Sequence, residues 1–332
     1  MEYQKPTQTQ RIHSIDLIKL IAMVGVVALH TFSKQFVYCT TVIAIPLFFM
    51  AMGYVQLGRK KINAKYCLTK IWKIIKLVTI ITFILWLIFN VLGGQGSISI
   101  KSLLGHLFGG YFQLSRFGYF WFFGAVIIIY LILPLLNKLY IHYYKWFLWF
   151  IILDILVMSA FFMEDVFHLK FGWNSEQNII QTFRLYNWIG YVCIGGMVKK
   201  TNFNILGQWW LLLIFLILNY YFQQALIPYL GNDACEFFYN SIVVILLSLI
   251  VFVCCLKIKS QKLEFTVKYV DLFLPVYCLH MPVSRFFGYV FEHFDLSFGP
   301  WNIYRFLLVL SVTAVISYYI MKVPLFKRLF SI

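Results

Sequence analysis

The first long apolar segment, residues 15–33, contains three residues that can do acid–base or electrostatic chemistry: Asp16, Lys19 and His30. Ionisable groups are costly within a membrane-spanning helix, so they usually face a bundle interior or a watery cavity and mark a pathway or reaction site. An imidazole can act as a general base or a nucleophile. The search for a functional site therefore begins in this segment.

These three residues share one stripe of the predicted helix. An α-helix turns about 100° and rises about 1.5 Å per residue, so Lys19 and His30 lie on one face about 16 Å apart. Asp16 precedes Lys19 at the spacing of a helical ion pair, but it is about 21 Å from His30, too far to orient it. The alternative is that Asp16 and Lys19 are topology signals at the interface and that His30 is a capped histidine at the other end.

The composition is that of a polytopic membrane protein. Of the 332 residues, 62% are hydrophobic and 12% charged, with a mean hydropathy of +0.81, whereas soluble domains have about 25% charged residues. The net charge of +16 could suggest nucleic acid binding. Because the basic residues fall in short segments between apolar stretches, the positive-inside rule explains them better, and we predict no nucleic acid partner.

The apolar segments predict an all-α transmembrane bundle of about ten spans, forming one domain over residues 1–332. Each segment can cross a hydrocarbon core of about 30 Å. Both termini then lie on one side, which most lysines and arginines flank, so we predict cytoplasmic termini in the cell (inner) membrane. The predicted spans are 15–33, 40–57, 71–92, 119–137, 146–163, 179–198, 206–224, 237–256, 269–290 and 300–321.

The seven cysteines predict neither a disulfide framework nor a zinc site. They are odd in number, contain no C-x-x-C pair and mostly lie in or near the predicted spans. We therefore predict no metal.

A group of lysines lies on the predicted cytoplasmic side, around the start of the third span. Three of them recur at three-residue spacing and so share much of one helix face, which suits a polyanion such as a nucleotide with phosphates. The alternative is that they contact anionic lipid headgroups and set topology. The group comprises Lys60, Lys61, Lys70, Lys73 and Lys76.

Near the outer ends of four predicted spans lie His30, Arg184, Arg285 and Arg305. Such a cationic vestibule would suit an acceptor with carboxylate, phosphate or many hydroxyl groups. Snorkelling at helix ends is the alternative for each arginine. His280 and Asp154 lie in mid-span, and each either forms a structural hydrogen bond or takes part directly in the function. Pro282, two residues after His280, leaves a backbone carbonyl of its helix without a hydrogen-bond donor.

Five stretches resemble, in order, motifs of the integral-membrane acyltransferase-3 family. The closest similarity is to stand-alone polysaccharide O-acetyltransferases, including the enterobacterial common antigen type. The stretches are 16–30, beginning DLIKLIA and ending VALH; 45–54, IPLFFMAMGY; 121–134, beginning WFF; the glycines at 195–196; and 276–282, VYCLHMP.

This resemblance implies that acetyl-CoA is the acyl-donor substrate, entering from the cytoplasm, and that a sugar hydroxyl outside accepts the acetyl group. It also implies that His30 is the catalytic histidine and that Lys19 stands where the family has a donor-handling arginine. Lys19 cannot form the two-pronged contact of a guanidinium. Met52 and Tyr119 depart from a serine and a histidine that are common in the family.

We therefore predict a membrane O-acetyltransferase acting on an envelope polysaccharide or its lipid-linked precursor. His30 is its base or its acetyl carrier, and Asp16 and Lys19 belong to the catalytic stripe. The lysine group and Trp121 are assigned to donor binding, and Arg184, Arg285, Arg305 and His280 to acceptor binding. The oligomeric state is not predicted.

Two other function classes fit a polytopic bundle with buried charges. A transporter of a small solute or glycan precursor uses similar residues, and it would move its substrate without any thioester. An accessory protein of a polysaccharide assembly complex is the third possibility, and the presence of His30 beside a basic stripe argues against it.

Overall fold

A computed structural model describes residues 12–32, 40–91, 98–171, 179–230, 238–296 and 302–331. Within these ranges the chain is helical and contains no strand, so the all-α class is confirmed. Short 3₁₀ turns connect helices, among them Gly118–Phe120, Gln181–Phe183, Ser260–Leu263 and Val270–Leu272. The α-helices are α1 His13–Leu29, α2 Ala44–Gln56, α3 Ala64–Val91, α4 Ile100–Tyr111, α5 Trp121–His142, α6 Tyr144–Phe171, α7 Leu185–Lys200, α8 Trp209–Leu230, α9 Ile242–Lys257, α10 Thr266–Tyr269, α11 Phe273–His293, α12 Ile303–Lys322 and α13 Pro324–Phe330.

Each of the ten predicted spans overlaps one of the longer helices, but the helix lengths differ. Five helical stretches in the described residues are long and apolar enough to cross a membrane: Ala64–Asn90, Gly118–His142, Tyr144–Glu164, Trp209–Leu226 and Ile303–Lys322. A bent pair, Ile242–Lys257 with Gln261–His293, passes the same test together. Because α1, α2, α7 and α9 have only 13 to 17 residues, the count of ten crossings stays a prediction.

Two helices, α4 and α13, lie wholly outside the predicted spans. α4 begins after Ser99, whose side chain accepts a hydrogen bond from the backbone N–H of Ser102 at 3.1 Å. Serine is a preferred residue before the first turn of a helix, so this start signal was present in the sequence. The predicted span from residue 179 instead begins with a 3₁₀ turn, and α7 starts at Leu185.

Helix α1 lies inside the bundle and packs against α2, α9, α10, α11 and α12. Ile18 and Ala22 are completely buried along it, and Asp16 is 6% exposed. In lipid, a short helix with ionisable side chains needs protein on most of its faces. The prediction that this stripe faces the bundle interior is therefore confirmed for Asp16.

Glycines set the closest helix crossing, between α2 and α7. A methyl group added at Gly53 would lie 1.8 Å from the Val192 carbonyl oxygen, and one at Gly195 would lie 2.0 Å from that of Met50. Without a hydrophobic force between helices in lipid, small residues stabilise membrane bundles by letting backbones approach and pack. This crossing holds α2 against the middle of α7.

We predict that Gly53→Ala destabilises the protein by about 3 kcal/mol or more, because the backbones of α2 and α7 must separate to admit the methyl group. Gly105→Ala is the matched control, since nothing lies within 4 Å of the added methyl group and alanine is the better helix former. Thermal unfolding of both variants in detergent measures the difference. Equal melting temperatures for the two variants would contradict the role of this crossing.

Candidate active site

His30 terminates α1 and lines a small cavity between helices. Its backbone N–H donates to the Val26 carbonyl at 3.3 Å, and its side chain is partly buried. The cavity has a volume of about 20 Å³, room for about one water molecule. The other lining residues are Val26, Leu29, Ile45, Tyr119, Trp121, Gln181, Tyr239 and Tyr277.

A second histidine, His280 of α11, lies directly beside His30. The two ring centroids are 5.3 Å apart with an interplanar angle of 33°. His280 is 0% exposed, and its Nδ1 lies 2.7 Å from the Tyr277 carbonyl oxygen. Arg285, also on α11, lies within electrostatic range of both rings. The sequence analysis placed His30 and Arg285 near the outer ends of their spans and His280 in mid-span, and the structure brings the three together.

Proline 282 determines how α11 joins the neighbouring helix. A proline has no N–H, so the carbonyl four residues earlier, that of Cys278, loses its helical partner. The hydroxyl of Tyr119 donates to that carbonyl at 3.0 Å. In return, the hydroxyl of Tyr277 donates to the backbone carbonyl of Tyr119. These reciprocal bonds, which we call the tyrosine clamp, hold α11 against the 3₁₀ turn that leads into α5.

The clamp explains what Tyr119 does in this chain. In the sequence it was only a departure from a histidine that is common in the resembling family. Its ring is 5.6 Å from that of His280 at 71°, while its hydroxyl satisfies the carbonyl freed by Pro282. Tyr119 therefore fixes one wall of the cavity beside both histidines.

Two uncharged wall residues were missed by the sequence analysis, Gln181 and Tyr239. The N–H of Gln181 donates to Oε1 of Gln113 at 2.7 Å, and its carbonyl accepts from Trp188 Nε1 at 2.7 Å. Its side-chain Oε1 is buried with no hydrogen-bond partner among the described residues. Both residues precede helices, and no charge or motif spacing marked them in the sequence.

Trp121, assigned to donor binding, lines this cavity rather than the lysine group. Its ring lies 5.1 Å from that of Trp188, and its backbone carbonyl accepts from the Thr182 hydroxyl at 3.3 Å. The first residue of α5 is thus anchored by the segment before α7, which positions the indole next to His30.

The remaining arginines have different surroundings. Arg305 of α12 donates to the hydroxyl of Ser284 at 2.9 Å, next to Arg285 in the chain. Arg184 is 2% exposed, lies just before α7, and its Nε donates to the Ile179 carbonyl at 2.8 Å. The structure therefore joins Arg305 to α11 through Ser284, whereas Arg184 is held within the protein.

A separate basic cluster surrounds Lys19 at the other end of the stripe. Lys70 lies within electrostatic range of Lys19, Lys73 and Arg59. The guanidinium of Arg59 donates to Gln56 Oε1 at 3.3 Å, and Lys73 Nζ donates to the Ser331 carbonyl at 3.0 Å. The three other predicted lysines, Lys60, Lys61 and Lys76, are exposed. The sequence placed Lys19 and these lysines in one layer, and the structure brings Lys19, Lys70 and Lys73 together.

The model of the acyltransferase-3 family, an acyltransferase domain, matches residues 12–320. The chain belongs to this family. No curated protein and no solved structure matches it. Family membership and the apolar helices make the protein a membrane acyltransferase.

The matched stretch of the acyltransferase runs from the residue before α1 to near the end of α12. It therefore includes both histidines, the tyrosine clamp and the basic cluster around Lys19. The residues that line the cavity come from six separate parts of the acyltransferase chain, and they meet because the bundle encloses α1.

We predict that Tyr119→Phe lowers the stability of the acyltransferase by about 1–2 kcal/mol, because the Cys278 carbonyl then has no donor. The same change should cost less in a Pro282→Ala background, since alanine supplies the N–H that restores the helical bond. Thermal unfolding of the double-mutant cycle measures this coupling.

Tyr143→Phe is the matched control for that cycle, because Tyr143 is 53% exposed and far along the chain from α11. It should leave the melting temperature unchanged. An equal cost of Tyr119→Phe with proline and with alanine at position 282 would show that the hydroxyl does not stabilise α11 in this way.

Proposed function

We propose that this acyltransferase moves an acetyl group from cytoplasmic acetyl-CoA to a hydroxyl of an envelope polysaccharide, or of its lipid-linked precursor. His30 acts as the general base, and the protein works in the cell (inner) membrane. The observation that carries this proposal is the position of the His30 imidazole in a cavity wall within the bundle, on the same helix as Lys19. A base in that position can reach a substrate without contacting lipid.

The donor end of the proposal rests on the basic cluster. Lys70 lies within electrostatic range of Lys73, Arg59 and Lys19, so several cations lie close together, and such a concentration of positive charge attracts an anionic substrate. The phosphates of coenzyme A have the required charge. With the phosphates at this cluster, the pantetheine arm runs along α1 for about 16 Å to bring the thioester to His30.

The chemistry at the cavity balances without a metal. His30 removes the proton of the acceptor hydroxyl as the oxygen forms a bond to the acetyl carbon, and the carbon–sulfur bond breaks. The sulfur leaves with the electron pair of that bond and takes up a proton, giving coenzyme A and an O-acetyl sugar. The guanidinium of Arg285, within range of His30, can stabilise negative charge that develops on oxygen.

Substrate entry requires the cavity to open. At about 20 Å³ it holds one water molecule, whereas a thioester and a sugar hydroxyl need far more room. The aromatic wall residues Trp121, Tyr239 and Tyr277 must therefore shift when substrates bind. A cavity this small also limits the water that can reach and hydrolyse the thioester before the acceptor arrives.

The acceptor end rests on the arginines of α11 and α12. Arg285 has a buried Nη1 with no hydrogen-bond partner among the described residues, and Arg305 of α12 donates to Ser284, the residue before Arg285. Guanidinium groups bind carboxylates and multiple hydroxyl oxygens through forked hydrogen bonds. An acidic or hydroxyl-rich sugar suits this face.

We predict that His30→Ala lowers acetyl transfer about 10²–10⁴-fold, the usual worth of a general base, with unchanged expression and melting temperature. Acetylation of surface glycan is measured by mass spectrometry in cells that carry each variant. His293→Ala, which removes an exposed histidine of α11, should retain full activity.

The result would be overturned if His30→Ala transferred acetyl groups as well as wild type. Movement of glycan precursor across the membrane with no need for a thioester would instead identify a transporter. An acetyl group retained on the purified wild-type protein after exposure to acetyl-CoA, and absent from His30→Ala, would show that His30 carries the group covalently.

We further predict that the double variant Lys70→Gln/Lys73→Gln has a KM for acetyl-CoA at least about tenfold above wild type. Each hydrogen bond from a charged group to phosphate contributes about 1.5–3 kcal/mol to binding. The kcat should change little, because the cluster is remote from His30. Lys145→Gln, an exposed lysine at the start of α6, is the control. An unchanged KM in the double variant would show that the phosphates of the donor do not bind to this cluster.

A further inference from the structure

The hydrogen bond of His280 defines which of its nitrogens carries a proton. Nδ1 lies 2.7 Å from the backbone carbonyl oxygen of Tyr277. A carbonyl oxygen can only accept, so Nδ1 is the donor and carries the proton. In the neutral imidazole, Nε2 then presents a lone pair and acts only as an acceptor.

That acceptor is buried and unused in the resting structure. His280 is completely buried, and its Nε2 has no hydrogen-bond partner among the described residues. Burying an unpaired polar atom is unfavourable, because the atom gives up its hydrogen bonds to water and gains none from the protein. Native proteins rarely tolerate such an atom unless it serves the function or binds something absent from the resting state.

Among the groups considered near Nε2 of His280, the ring of His30 is the one that can become its hydrogen-bond donor. The hydroxyl of Tyr119 donates to Cys278, and that of Tyr277 donates to the Tyr119 carbonyl, so the tyrosine clamp uses both nearby hydroxyls. Arg285 follows His280 by five residues on α11, which places it about 140° around the helix. The His30 ring lies 5.3 Å away, a separation at which the edges of two imidazoles touch.

We propose that His280 is a positioning residue for His30, whose ring N–H donates a hydrogen bond to Nε2 of His280 when substrates are bound. This inference rests on the proposed role of His30 as the base. Hydrogen bonds of this kind are often unformed in substrate-free structures and close in the loaded enzyme. The sequence analysis had assigned His280 to acceptor binding, and the new role replaces that assignment.

The pairing selects the reactive form of His30. With one nitrogen donating to His280, the other nitrogen of His30 is unprotonated and free to take the acceptor proton. When it does so, His30 becomes an imidazolium, and its bond to His280 Nε2 persists and stabilises that cation. The proton then passes to the departing sulfur, and His30 returns to its starting form. Because Asp16 is too far along α1 to orient His30, a partner on another helix is required.

Three substitutions at position 280 separate the roles of the two nitrogens. His280→Gln can place an amide oxygen near the position of Nε2, whereas His280→Asn reaches only the position of Nδ1 and keeps the bond to the Tyr277 carbonyl. His280→Phe keeps the ring and loses both nitrogens. We expect the glutamine variant to keep kcat within about tenfold of wild type, and the asparagine and phenylalanine variants to lose about 10²-fold.

The measured quantities distinguish positioning from acceptor binding. A positioning role lowers kcat, leaves the KM for the acceptor unchanged, and slows acceptor-free hydrolysis of acetyl-CoA in parallel, because water then replaces the sugar hydroxyl. An acceptor-binding role raises the acceptor KM and leaves hydrolysis intact, which would overturn the proposal. Melting temperatures in detergent identify any variant that fails to fold. Among folded variants, a higher kcat for His280→Gln than for His280→Asn supports the positioning role, and equal kcat values contradict it.

Failure of this inference can be told apart from failure of the proposed function. If wild type turns over acetyl-CoA and His30→Ala does not, the proposed base stands, and equal activity of the glutamine and asparagine variants rejects only the pairing. If wild type does not use acetyl-CoA, the donor is wrong. If His30→Ala is fully active, the base and its positioning partner are both rejected.

Discussion

The hydrogen bond from the Tyr119 hydroxyl to the Cys278 carbonyl is the contact on which the site depends. In a membrane, a backbone carbonyl without a partner is too costly to leave exposed, and Pro282 creates one within α11. Satisfying it ties α11 to the turn before α5, and the return bond from Tyr277 makes the connection two-sided. His280, Tyr119 and Trp121 are thereby held around the end of α1.

The enclosure of α1 is the second constraint. It is short, and five helices pack around it, so its ionisable residues meet protein rather than lipid. One end carries Lys19, in range of Lys70 on α3, and the other carries His30, in range of Arg285 on α11. A single helix therefore separates the basic cluster from the imidazole of His30 by a defined distance. That arrangement suits a substrate with phosphates at one end and a reactive thioester at the other.

Tight glycine packing supports both features from outside the site. Gly53 of α2 and Gly195 of α7 allow backbone contact that no larger residue permits, and the same two helices contribute aromatic rings near the cavity. Phe49 of α2 stacks on Trp188 of α7 at 4.9 Å, and Trp188 in turn contacts Trp121. The position of Trp121 beside His30 thus depends on glycines more than a helical turn away.

The sequence by itself determined the all-α class, the approximate location of ten apolar helices, and the placement of Lys19 and His30 along one helix. These follow from local properties, namely hydrophobic length, charge within a span and helical spacing. It also indicated the carbonyl freed by Pro282, which is a covalent property of proline. Only the tertiary structure showed that the Tyr119 hydroxyl donates a hydrogen bond to that carbonyl. It also showed that Gln181 and Tyr239 line the cavity. In the same way, it placed His280 against His30 and buried Arg184. Such pairings join residues up to 250 positions apart, and no spacing along one helix encodes which face of another helix it will meet.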